Sequence, residues 1–166
     1  MPYRWLEDIA IADAAFEAWA PTAEELLMQA GEALLEVMAG DPARVQRKVR
    51  REVTLDDIPD LLMVRLLQAL VWHKDAEQLL LHVGPLTLRR ELGADAGADT
   101  EATTGADAGA AVSAATGRWK VTAELWGERI DPARHDGVDV KAVTMHRLFL
   151  GQGDDGSWRA RAVLDV

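Results

Sequence analysis

The chain has 166 residues, the length of one ordinary domain. Its 18 Lys and Arg against 28 Asp and Glu give a formal charge of −10, which argues against holding RNA or DNA by blanket phosphate neutralisation but leaves room for a basic partner or a metal ion. With 49% hydrophobic and 28% charged residues the composition is globular, and the absence of cysteine excludes disulfides, zinc–thiolate sites, iron–sulfur clusters and thiol catalysis.

The first residues, Met1-Pro-Tyr-Arg-Trp-Leu-Glu7, show no basic segment leading into an apolar run, and no later stretch approaches a membrane span. A cytoplasmic protein is expected. Residues 4–20 are rich in aromatic and β-branched side chains (Trp5, Ile9, Ile11, Phe16, Trp19) and predict one or two strands. Thr22-Ala-Glu-Glu25 then reads as a capping box, with Thr22 as N-cap and Glu25 three residues on. Leu27, Ala30, Leu34, Val37 and Met38 recur at helical spacing, and Gly40-Asp-Pro42 stops the helix.

Val49, Val53 and Leu55 alternate within a predicted strand over 47–55. Asp56, Asp57 and Pro59 open a second helix running to about His73, apolar almost all round and therefore expected to be deeply buried. Residues 79–92 and 118–126 read as neighbouring strands. Residues 141–150 and 158–166 form a final hairpin around Gly151-Gln-Gly-Asp-Asp-Gly156. Two helices and about six strands, grouped and not strictly alternating, predict a single α+β domain over 1–166 with one mixed or antiparallel sheet.

Residues 93–117 differ in kind. They hold ten Ala, five Gly and no Lys, Arg or aromatic residue, so they predict a disordered insertion in place of the turn between two strands. Four of the chain's acids (Asp95, Asp99, Glu101, Asp107) lie there. The Gly-Ala-Asp triplets lack the regular spacing of calcium-binding repeats.

Enzyme signatures are absent. The four histidines (His73, His82, His135, His146) share no close spacing, and there is no HExxH, glycine-rich phosphate loop or GxSxG elbow. Two isolated carboxylates invite a reason. Asp13 interrupts the apolar run Ala10-Ile-Ala-Asp-Ala-Ala-Phe16, where strand propensity disfavours it; it is either a solvent-facing or turn residue, or a ligand. Asp165 stands beside the α-carboxylate of Val166, so it is either a solvated, frayed end or one of two anions drawn together by a hard cation with oxygen ligands. The basic cluster Arg44, Arg47, Lys48, Arg50 and Arg51 fits a charged edge strand, with a nucleic-acid contact as the other reading. In Lys141-Ala-Val-Thr-Met-His146, alternation places Lys141, Val143 and Met145 on one sheet face and Ala142, Thr144 and His146 on the other.

Taken in order, these blocks resemble the archease family, small accessory proteins of RtcB-type RNA ligases. The family's His-Thr-Ala-Asp element is followed by a Thr-Leu-Glu-Glu helix start; here Asp13 precedes Thr22-Ala-Glu-Glu25. Asp57–Leu70 resembles its second helix. Trp126-Gly-Glu-Arg-Ile-Asp131, His135 and Lys141-Ala-Val-Thr-Met-His146 resemble its Gly-Glu…Asp…His…Lys-Ala-Val-Thr-Tyr-His stretch, and Trp158…Asp165-Val166 its ending. The resemblance implies an α+β fold and a divalent ion, calcium-like with manganese or magnesium as alternatives, held by Asp13, Asp165 and Val166. It further implies Lys141 as a group facing the ligase or its nucleotide. The implied role is non-enzymatic: to promote guanylylation of the ligase and its multiple turnover on RNA, tRNA in splicing included, with no membrane or DNA partner. The sequence departs from the pattern at Ala10-Ile11, where the family has His-Thr, and at Met145, where it has Tyr. The altered first motif favours the alternative, a metal-independent, chaperone-like interaction module.

Overall fold

The computed structural model describes residues 3–6, 13–91 and 112–166. In chain order its elements are β1 (Tyr3–Trp5), β2 (Asp13–Ala20), α1 (Ala23–Ala39), a 3-10 turn (Pro42–Arg44), β3 (Val49–Asp57), α2 (Pro59–Glu77), β4 (Leu79–Glu91), β5 (Val112–Ala114), β6 (Arg118–Arg129), β7 (Ala142–Gly153) and β8 (Trp158–Asp165). The α+β class stands as expected. The single sheet of about six strands does not: the eight described strands form a five-stranded sheet, ordered β1-β2-β8-β7-β5, and a three-stranded sheet, ordered β3-β6-β4. All pairings are antiparallel. Alternation in a sequence tells which face of a strand is buried and is silent on which strands pair, so the split was not legible.

Both helices start where their caps dictate. The Thr22 hydroxyl accepts a hydrogen bond from the Glu25 backbone N–H at 3.2 Å. Pro59 occupies the first turn of α2, where a missing N–H costs nothing. The helix ends on Gln78 in the left-handed region (φ 57°), its N–H donating to the carbonyls of His73 and Lys74.

The core lies between the helices and the sheets. On β2 and β8 the inward residues are largely small (Ala14, Ala18, Ala160, Ala162), interleaved with Phe16 and Leu164, and α1 sits on them through Leu26, Leu27, Ala30 and Leu34. α2 packs on β7 and on the three-stranded sheet, with Leu62, Met63, Leu66, Leu67 and Leu70 buried. The expected deep burial holds on three sides. The fourth carries Arg65, Gln68 and Trp72, the last 59% exposed. Trp119 and Trp158 meet edge-to-face across the two sheets (centroids 5.4 Å apart), and the Arg90 guanidinium lies over both rings.

Gly31 lets α1 approach β4 closely: a Cβ there would stand 2.4 Å from Val83 Cγ2. Gly31→Ala sets a helix-propensity gain of about 0.5–1 kcal/mol against an overpacking cost of about 1–3 kcal/mol. A net loss of about 1 kcal/mol is expected, read as a lower urea midpoint at unchanged slope.

Two expectations need correction. The predicted insertion 93–117 lies mostly outside the described residues, but Val112–Ala114 form β5 on the edge of β7, so its end is ordered. Strand pairing there runs through backbone groups, which Ala and Ser supply as well as larger residues do. In the 141–146 motif, strict alternation fails after Thr144. The register passes from Thr144↔Val163 to Phe149↔Arg161, so four residues of β7 oppose one of β8. Arg147 takes a left-handed conformation (φ 52°), the Thr144 hydroxyl accepts from the His146 N–H at 3.3 Å, and Met145 is 55% exposed while Val143 is buried.

Candidate metal corner

Three of the four expected site residues meet through the backbone at one end of the five-stranded sheet. Asp13 on β2 and Asp165 on β8 are register partners. On the other side of β8, Asp165 pairs with Ala142, and the Lys141 N–H donates to the Asp165 carbonyl at 2.8 Å. Directly opposite residues of an antiparallel pair have Cβ atoms about 4.5–5.5 Å apart, a placement in which like charges repel. Carboxylates are hard-oxygen ligands of the kind that divalent cations of the calcium class take. Leu164 packs into the core, so Asp165, half-buried, belongs to the opposite face; Val166 then packs its side chain against the core. Asp13 is described by its backbone alone. Among the described residues no three His, Asp or Glu side chains gather as a metal site.

Lys74 fixes this corner from beneath and was not anticipated. It is 5% exposed, yet its ammonium donates to the Val140 carbonyl at 2.7 Å and pairs with Asp139 and with Asp75 (2.8 Å). Burial pulls its pKa down, but the hydrogen bonds it donates to Asp139 and Asp75 outweigh it and leave the pKa raised, so the group stays charged. The signal was present in the sequence: Lys74 follows Leu67, Leu70 and Val71 at buried-face spacing, where a charge needs partners.

The Gly-Glu…Asp…His stretch builds a second cluster with an architectural role. The Asp131 N–H donates to His135 Nδ1 at 2.9 Å, and the ring's Nε2 lies 3.0 Å from Glu128 Oε1. The Glu128 side chain is 3% exposed; Arg134 approaches it at 2.6 Å and Lys48 at 3.8 Å. Burial raises the Glu128 pKa, but Arg134 and the Gln46 backbone N–H hold it below the usual carboxylate range. The cluster ties the 128–135 segment to the chain ahead of β3. The other histidines are dispersed. His73 contacts Glu77 at 2.5 Å, His82 lies beneath α1, and His146 is exposed in the β7 bulge.

The basic cluster behaves as a charged edge. β3 borders its sheet, Arg50 pairs with Glu124 (2.8 Å) and Glu52 (3.2 Å), and Arg51 with Glu77 (2.8 Å). Among the described residues no helix is long and apolar enough to cross a membrane.

These features define a two-helix, two-sheet α+β domain whose chain end and second strand converge on one corner. Over residues 3–166 the chain matches the archease protein family (MTH1598/TM1083). It is 30% identical over 164 residues to a protein archease of Methanopyrus kandleri, covering 98% of this chain and 99% of that one. To a protein archease of Pyrococcus abyssi it is 27% identical over 166 residues, with the same coverage. The solution structure of Methanobacterium thermoautotrophicum protein 1598 shares the fold, with a TM-score of 0.70, 23% identity and 99% of each chain covered. The chain belongs to the archease family.

Proposed function

We propose that this protein is an accessory activator of an RtcB-type RNA ligase, acting in the cytoplasm through a metal-dependent protein–protein contact. In this reading Asp13, Asp165 and the Val166 carboxylate hold a divalent, calcium-like ion, and Lys141 faces the ligase or its nucleotide. The ion would supply a positive centre bound through carboxylate oxygens. The chain's own residues hold the corner in register, and the ligase forms the phosphodiester bond. The observation that carries the reading is the Asp13–Asp165 register with Lys141 hydrogen-bonded beside it.

The test is multiple-turnover ligation of cleaved tRNA with limiting ligase from the same genome, with and without this protein. Turnover should rise only in its presence, and Asp13→Ala, Asp165→Ala or a short tail fused after Val166 should remove the gain while circular dichroism stays unchanged. A fully active tailed protein would sink the terminal carboxylate as a ligand. The second reading, a metal-independent, chaperone-like module, is favoured by Ala10-Ile11 in place of the family's His-Thr. Failure to bind calcium or manganese by calorimetry, together with no effect on a ligase active for one turnover, would establish it over the first.

A further inference from the structure

The outer face of the five-stranded sheet, turned away from the helices, sets arginines beside aromatic rings at one end. β8 is its central strand. Ala160, Ala162 and Leu164 point into the core, so Arg159 and Arg161 project outward, about 6.6 Å apart along the strand. Arg159 is in register with Trp19 on β2, and Arg161 with Phe149 on β7. Trp19 is 37% exposed, and neither aromatic belongs to the core cluster. Among the described residues neither arginine has a carboxylate within ion-pair distance, and Arg161 Nε, screened from solvent, has no hydrogen-bond partner. Asp13 and Asp165, also on this face, stand opposite one another at the far end of β2 and β8, four residues beyond Arg161. Glu17, opposite Arg161, is paired with Arg4 at 3.2 Å, and Asp155, in the hairpin turn near Arg159, bonds Ser157.

The outer face of the three-stranded sheet makes a useful contrast. There Arg50 and Arg118 are neutralised by Glu124 and Asp56, and Trp126 donates its Nε1–H to Glu124. Arg89 and Lys120 stand opposite one another, but Lys120 is six residues from Trp126, about 20 Å along the strand. On that sheet the cation beside the ring, Arg50 opposite Trp126, is neutralised by Glu124 and Glu52, whereas among the described residues Arg159 and Arg161 have no such partner.

We propose that the outer face of the five-stranded sheet, through Arg159, Arg161, Trp19 and Phe149, binds a single-stranded nucleic acid. Guanidiniums two residues apart, without an ion pair among the described residues, suit successive phosphates, and flanking aromatic rings offer stacking surfaces that an acidic peptide would not use. The patch is local, so binding is weak and steep in salt, compatible with the negative charge of the whole.

The test is fluorescence anisotropy of short labelled oligouridylate and oligothymidylate with the full chain at low salt. It uses neither ligase nor metal, so its outcome is separate from that of the activator reading. Arg159→Glu/Arg161→Glu should weaken binding at least about tenfold, and Trp19→Ala at least about fivefold through lost stacking. Arg89→Glu/Lys120→Glu, an equal charge change on the other sheet, should leave affinity within about twofold. If the glutamate pair unfolds, Arg159→Gln/Arg161→Gln gives the same comparison. Equal losses from both charge pairs, or no binding by the parent chain, would overturn the proposal. Polyglutamate that binds the parent as tightly as the oligonucleotides, with Trp19→Ala unaffected, would replace the nucleic acid with an acidic protein partner.

Discussion

Gly127→Ala should destabilise the protein by about 3 kcal/mol or more, the largest loss expected from adding a single methyl group. A Cβ at that position would stand 1.7 Å from the Leu80 carbonyl oxygen and 2.7 Å from its carbon, with Leu81 Cα at 2.9 Å. All three are backbone atoms of β4, so no rotamer change relieves the clash. Gly127 lies in the middle strand, in register with Leu81 on one side and Val49 on the other, and its carbonyl accepts the Lys48 N–H at 2.8 Å. Moving the strand away from β4 therefore strains the contact with β3 and displaces Glu128, the buried acid that follows. Chemical denaturation measures the loss, and hydrogen exchange should show faster opening of the β4–β6 ladder than of β2–β8. A variant with a parental midpoint would show that β4 accommodates a side chain there.

The second large effect is expected at His82, which joins three parts of the chain. Its Nδ1 lies 2.7 Å from a Glu32 carboxylate oxygen on α1, and its Nε2 lies 2.9 Å from the Val45 carbonyl ahead of β3. Both neighbours accept, so the ring satisfies both only as an imidazolium with two N–H donors. Burial, and the Arg47 charge, push its pKa down; the Glu32 and Val45 hydrogen bonds and the Glu32 charge push it up and prevail. A histidine whose folded-state pKa is raised gives stability that is fully present below the unfolded value, about 6.5, and lost as pH rises through the folded value. Stability should therefore fall across the range above about pH 6.5. His82→Leu should lose about 2–3 kcal/mol at pH 6 and show a flatter profile above it. An unchanged profile would mean that His82 is neutral in the folded state.

What the sequence disclosed, and what it withheld, follows from the range of the interactions. Thr22, Pro59 and the Gly40-Asp-Pro42 stop act within a few residues, and each set a helix boundary where the local chemistry requires. The isolated Gly127 inside a strand pattern also had a readable meaning, since such glycines mark close approach of another backbone. The division into two sheets had none, because it depends on pairings such as Val49 with Gly127 and Ala15 with Val163, far apart in the chain. Nor did the β7 bulge, whose left-handed residue is Arg147, where a glycine would have signalled the turn. For the candidate site, resemblance and two misplaced acids singled out Asp13 and Asp165, and the register joins them. Lys74 escaped because two of its three partners, Asp139 and Val140, lie some 65 positions on.

That buried lysine bears on any encounter at the corner. The ammonium of α2 holds the carbonyl of Val140, the next residue donates its N–H to Asp165, and Asp165 stands opposite Asp13. The chain of contacts runs from the interior outward, so the freedom of the 139–141 segment is already lost when the protein folds. Whatever meets this end of the sheet finds the backbone preorganised and has little ordering entropy left to overcome there. Substitutions at Lys74 should act on association at the corner as a loosening, felt as a faster off-rate, before they are felt as a missing contact.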